Sequence, residues 1–237
     1  MIQRVLARLS RPVRKALGRL AIRSPRTAFA VANTLAKLLA TVSPGFRRAL
    51  RTLFPDLSPR DIRRTLGQIW RTRLRTRLLP YWIHGAGFAP VRALVRENEA
   101  IDRLRPPMVI STFHIGPYLG LGVLSERLPG ELLTLRSGRF AAMEDIGGRN
   151  VAPVTGSEQQ GVAGFYRAVD RLRTGGFVIA ALDPGQAERR IAAPFFGGTI
   201  HLAAGLFAIA RIAKVPIVPM AARWIGDEIE IIVGDPL

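Results

Sequence analysis

At 237 residues the chain suits one domain with a sizeable core plus a smaller accessory segment. It has no cysteine, which removes disulfides, thiol nucleophiles and zinc–thiolate sites, and its three histidines lack metal-ligand spacing, so no metal is expected. The net charge of +18 is lopsided: residues 1–80 hold nineteen Lys/Arg against Asp56 and Asp61, whereas residues 81–237 hold sixteen against fifteen acids.

Such a basic block asks for an anionic partner: a lipid surface, a nucleic acid or an acidic protein. Residues 2–20 open it with Ile2, Val5, Leu6, Leu9, Val13, Leu17 and Leu20 on one helical stripe and arginines around the rest. That pattern suits a helix lying in the plane of a membrane, or a surface helix covering the core. Pro12 is expected to kink it. Thr27 to Val42 predicts a buried or interfacial helix, because Asn33 and Lys37 interrupt a stretch shorter than the roughly 20 apolar residues of a span. Pro44-Gly45 is expected to end it. A third helix is predicted from Ser58, a suitable N-cap before Pro59, with Asp61 in the first turn. Ile62, Leu66, Trp70, Leu74 and Leu78 form its apolar stripe; Arg63, Arg64, Arg71, Arg73, Arg75 and Arg77 make it basic. Aromatic residues do not interleave with these cations for base stacking, and no helix-turn-helix or RNP pattern occurs, so no nucleic-acid partner is expected. The chain therefore divides into a basic helical segment, 1–80, and a domain, 81–237.

From about residue 106 strand-like runs alternate with helix-like ones. The strands are Met108–Thr112, Glu131–Arg136, Phe177–Asp183, Val215–Met220 and Glu228–Val233; the helices lie near 118–128, 158–174 and 201–213. This alternation predicts an α/β fold, a largely parallel or mixed sheet flanked by helices. Chemistry in such sheets gathers at the carboxyl ends of strands, where His114, Arg136 and Asp183 all fall. His114 is a candidate general base, and Gly116 and Tyr118 close after it are candidate substrate contacts. Arg136 and Arg139 are candidates for a bidentate grip on phosphate or carboxylate. Asp183 is either a site acid or the first residue of an Asp-Pro-Gly turn. In "APFFGGTIHLAAG", Phe195 and Phe196 are candidates to line an acyl cavity, and Gly197 with its neighbours to turn backbone N–H groups towards an anion ahead of a helix.

Four stretches, in order, carry a family resemblance: "RRALRTLFPDLSPRDIRRTLGQIW", "STFHIGPYLG", "LDPGQ" and "APFFGGTIHLAAGLFAIARIAKVPIVP". Over about residues 45 to 225 the sequence resembles the bacterial lipid A late acyltransferases (lauroyl/myristoyl acyltransferases) of the lysophospholipid acyltransferase superfamily. The resemblance implies a glycerolipid-acyltransferase-type α/β fold, peripheral on the cytoplasmic face of a bacterial inner membrane. It implies transfer of a fatty acyl chain from an acyl carrier protein or CoA thioester to a hydroxyl of a membrane lipid, a lipid A precursor or lysophospholipid, with no cofactor. His114 matches the family's catalytic histidine, Arg136 its substrate-binding arginine, Asp183 an acid of the third block, and Tyr118 a position often held by Trp. The family's dyad acid stands five residues after the histidine, and here that residue is Leu119. If Asp183 does not take over, the chain is expected to be a catalytically impaired lipid-binding member. The chain also stops at Leu237, before the family's C-terminal helix.

Overall fold

The computed structural model describes residues 20, 23–135, 151–154, 158–183, 189–195 and 197–237, and the chain divides into two units, Met1–Val91 and Arg92–Leu237. The boundary expected after residue 80 falls inside the first unit, in a stretch where Leu78, Leu79 and Trp82 are buried. The helix read from residues 2–20 lies outside the described residues apart from Leu20.

In the first unit, α1 (Pro25–Thr41), α2 (Pro44–Leu53) and α3 (Pro59–Thr76) follow in close succession. Pro44 opens α2 as well as closing α1, correcting its reading as a stop only. A proline at a helix's first position forfeits no intrahelical hydrogen bond. The corner before it is fixed by buried Ser43, whose hydroxyl donates to the Leu39 carbonyl and accepts from Trp70 Nε1 at 2.8 Å. Ser58 caps α3 by accepting from the Asp61 N–H at 3.1 Å, an interaction worth about 1 kcal/mol. Ala40, Leu50, Ile62 and Leu66 of the three helices form one core cluster. Arg75 departs from its expected place on the basic face. It is 4 % exposed, its Nε donates to Asn33 Oδ1 at 3.1 Å, and its guanidinium lies 4.7 Å from the Phe29 ring centre. A buried guanidinium has to be hydrogen-bonded, and Asn33, which broke the apolar run of α1, accepts from it.

The second unit is built on a six-stranded mixed sheet. Its strands are β1 (Met108–Thr112), β2 (Leu132–Leu135), β3 (Val151–Val154), β4 (Phe177–Ala181), β7 (Ile217–Ile225) and β8 (Glu228–Val233), in the order β3-β2-β4-β1-β7-β8. All neighbours are parallel except β7 and β8. Val109, Leu133, Val178 and Ile217 of four strands pack beneath α4 (Glu158–Arg173) and α5 (Gly205–Ala213), which supply Val169, Leu172, Leu206 and Ile209. A 3₁₀ helix, Tyr118–Val123, follows β1 and packs against β7 and β8. The expected strands and helices are thus present, with three strands added. These are β3 and an antiparallel hairpin, β5 (Arg190–Phe195) with β6 (Gly198–Ala203).

Candidate active site

Two central strands position the site. β1 and β4 run parallel in a register that sets Met108 beside Phe177 and Thr112 beside Ala181. The ladder continues one step further, the Leu182 N–H donating to the Thr112 carbonyl at 2.7 Å. Phe113 and Leu182 turn into the core beneath α4 and α5. The residue after each is then directed away from that core by the two-residue alternation of extended chain. Those residues are His114 and Asp183, each two positions past its strand.

They meet. Asp183 Oδ2 is 2.8 Å from His114 Nδ1, and Asp183 Oδ1 accepts from the His114 backbone N–H at 3.0 Å. One carboxylate therefore holds the histidine at ring and main chain together. An ionised carboxylate only accepts hydrogen bonds, so a neutral imidazole carries its proton on Nδ1 and leaves Nε2 with a free lone pair. The two side chains are 51 % and 38 % exposed, so the pair can be reached by a reactant from outside. Tyr118 stands edge-on to the imidazole with ring centres 4.9 Å apart. Burial pushes its phenol pKa up and the Asp183 charge adds to this, so the hydroxyl keeps its proton.

The turn between His114 and Tyr118 depends on Gly116. Its φ is +58°, and a β-carbon there would lie 2.4 Å from the Ala222 carbonyl oxygen on β7. Expected as a substrate contact, Gly116 has a backbone reason for being glycine. Leu119 is 4 % exposed, so an acid at this position would be desolvated within the fold. The carboxylate that reaches the imidazole comes from β4 instead.

Phe195 and Gly197 belong to the hairpin, which corrects the reading of "PFFGG" as the lead-in to a helix. β5 and β6 pair as far as Phe195 with Gly198, and Gly197 has a φ of +73° in the turn. The helix begins only at Gly205, so no helix N-terminus gathers the N–H groups of this segment. The hairpin nonetheless starts at the site: the Ala203 N–H donates to the carbonyl of Leu182, the residue before Asp183, at 2.9 Å. Phe195, at its far end, is 53 % exposed. Arg136, Arg139 and Phe196 lie outside the described residues. Among the described residues no three metal-ligating side chains cluster.

Sequence reasoning missed the second bond, from the His114 backbone, and the edge contact of Tyr118. The equal two-residue offset of His114 and Asp183 from their strands is the signal that reads as a pair once the register is known.

An oriented imidazole with a carboxylate behind it, at the carboxyl edge of a mixed α/β sheet, can serve as a general base. No protein-family model and no curated protein matches the chain. Among solved structures it is similar to that of the 1-acyl-sn-glycerophosphate (LPA) acyltransferase PlsC from Thermotoga maritima, at 14 % identity and a TM-score of 0.38 over 87 % of this chain and 86 % of that one.

Proposed function

We propose that the chain is a membrane-associated acyltransferase, moving a fatty acyl chain from a carrier-protein or CoA thioester to a hydroxyl of a membrane lipid of the lipid A precursor or lysophospholipid kind. The observation that carries this reading is the bond from Asp183 to Nδ1 of His114, which leaves Nε2 as the base. A thioester is activated enough for an alcohol to attack it once a base takes the hydroxyl proton. His114 Nε2 takes that proton as the acceptor oxygen bonds to the thioester carbonyl carbon. The carbon–sulfur bond then breaks, and the imidazolium returns the proton to the departing thiolate. Asp183 remains a carboxylate and steadies the imidazolium between these steps. The basic first unit supports a peripheral attachment to anionic lipid, on the cytoplasmic face of a bacterial inner membrane. No helix among the described residues is long and apolar enough to cross a membrane.

The testing measurement is acyl transfer from a thioester donor to lysophospholipid and lipid A precursor acceptors. His114→Ala is expected to lose at least about 10²-fold in rate. Full activity in that variant refutes the reading. The buried Leu119 favours a second reading, an acyltransferase-fold protein that binds acyl lipid without turning it over. A wild type that binds acyl lipid yet transfers nothing, to any acceptor or from either donor, would select it.

A further inference from the structure

The first unit carries a groove of about 960 Å³ between α1 and α3, distinct from the His114 site in its residues and chemistry. Five cations line it: Lys37 from α1, and Arg60, Arg63, Arg64 and Arg71 from α3. The one acid in the lining is Asp61, whose carboxylate already accepts from the Ser58 hydroxyl at 2.6 Å in the helix cap. Among the described residues none of the five cations forms an ion pair. Elsewhere on the same helices arginines are engaged: Arg75 is buried on Asn33 and Phe29, and Arg73 lies over the rings of Phe46 and Trp70. The groove cations therefore have charge left to neutralise something else. Like charges gathered in a concave site cost free energy unless an anion fills it.

The neighbouring surface indicates which anion. Leu38 and Val42, one residue on from the groove-lining Lys37 and Thr41, are 60 % and 59 % exposed. Leu38 on α1 and Val42 at its C-cap stand one above the other, about 100° round the helix from Lys37 and Thr41. Leu53 at the end of α2 is 53 % exposed. A cationic groove bordered by bare aliphatic side chains matches a lipid surface, with phosphates at the rim and hydrocarbon just beneath. A nucleic acid would gain little from Leu38 and Val42, and an acidic protein would need an apolar patch of its own to cover them.

We infer that this groove binds the phosphate headgroup of an anionic membrane lipid, while Leu38 and Val42 enter the acyl boundary. The inference deepens the proposed membrane attachment by naming its site, and it rests on that reading. Cosedimentation of the full chain with phosphatidylcholine vesicles containing a minority of phosphatidylglycerol tests it. Lys37→Gln/Arg64→Gln is expected to weaken binding about 30-fold, the loss of two cations held against headgroups. Arg48→Gln/Arg51→Gln, an equal charge loss on exposed α2 positions outside the groove, is expected to weaken it by no more than about threefold, as diffuse and screened attraction would. Equal losses in the two pairs overturn the groove in favour of diffuse attraction. Lys37→Arg/Arg64→Lys keeps the charge and is expected to bind as wild type, so weak binding by that folded variant also overturns the inference. Displacement from vesicles by inorganic phosphate at constant ionic strength would assign the groove to free phosphate and overturn the lipid. Tighter retention on double-stranded DNA, lost in the glutamine pair, would overturn it in favour of nucleic acid. His114→Ala separates this inference from the catalytic one: it should bind vesicles as wild type does, whatever its rate of acyl transfer.

Discussion

Replacing Asp183 by asparagine changes one oxygen into an NH₂ group and removes one charge, and the geometry sets the consequence. Asp183 accepts two hydrogen bonds, from the His114 main chain at 3.0 Å and from Nδ1 at 2.8 Å. Asparagine has one acceptor oxygen, so it satisfies one of the two. If the oxygen stays on the main-chain N–H, the amide NH₂ faces Nδ1 and moves the imidazole proton to Nε2, where it blocks the base. If the amide turns over, two donors face each other at the main chain, at a cost of about 1–3 kcal/mol for the unmade bond. Either branch costs about 5- to 150-fold in rate, before the lost attraction between carboxylate and imidazolium is counted. That attraction is about 1–4 kcal/mol at contact distance for an effective dielectric between those of water and the protein surface. The exposures of 51 % and 38 % favour the lower part of the range. The expected fall in kcat is thus about 30- to 10⁴-fold, with KM for the thioester little changed. The upper end equals the loss measured for the comparable substitution in the serine-protease triad. Single-turnover release of thiol from an acyl thioester, with lysophospholipid present, reads this directly. A variant within threefold of wild type would refute the orienting role of Asp183.

Gly116→Ala drives a methyl group against the Ala222 carbonyl at a positive φ, and should cost about 1–3 kcal/mol of stability by thermal or urea unfolding. A neutral result would mean the turn relaxes freely away from β7. Leu119→Glu puts an acid five residues after His114 but buries it, so it should lower stability by several kcal/mol, more at neutral than at acidic pH, without raising turnover. A gain in turnover would show that position 119 reaches the imidazole. The phenol of Tyr118 should titrate above an ordinary tyrosine, seen as the phenolate absorbance missing from a wild-type minus Tyr118→Phe difference titration. Because the folded state holds that proton more tightly than the unfolded one, stability is intact below the unfolded tyrosine pKa and falls as pH rises through the folded one. The Phe variant should lose that alkaline slope.

The elements with strong periodicity were legible in the sequence. Met108–Ile110 is a continuous apolar run in a strand paired on both sides, and Ser58-Pro59 marks α3 by cap chemistry alone. β3 was not legible, because Pro153 sits within four residues and argues against a strand. The sheet order puts β3 at an edge, where proline is tolerated. The β5–β6 hairpin escaped for a related reason. It pairs outside the main sheet, and its strand residues are largely exposed, so no core face imposes an alternating pattern on "RIAAPF". Arg75 looked like surface charge, since nothing in its neighbours shows that Asn33, 42 positions earlier, would accept a hydrogen bond from it. His114 and Asp183 could be placed at strand ends from composition. Their hydrogen bonds depend on which strands are neighbours, and that is settled by long-range packing.

The strand order also has a consequence for when the site comes into being. β1 is made first, then β2 and β3, and only afterwards does β4 slot between β2 and β1. His114 and its acid are 69 residues apart in the chain, so no local segment can pre-form the pair. A nascent or truncated chain ending before residue 183 holds an imidazole with nothing behind it, and even a longer chain has none until the central gap in the sheet is filled. Recovery of a functioning base during refolding should therefore track the slowest, non-local step of assembling the second unit. Activity in this molecule would serve as a clock for insertion of one strand.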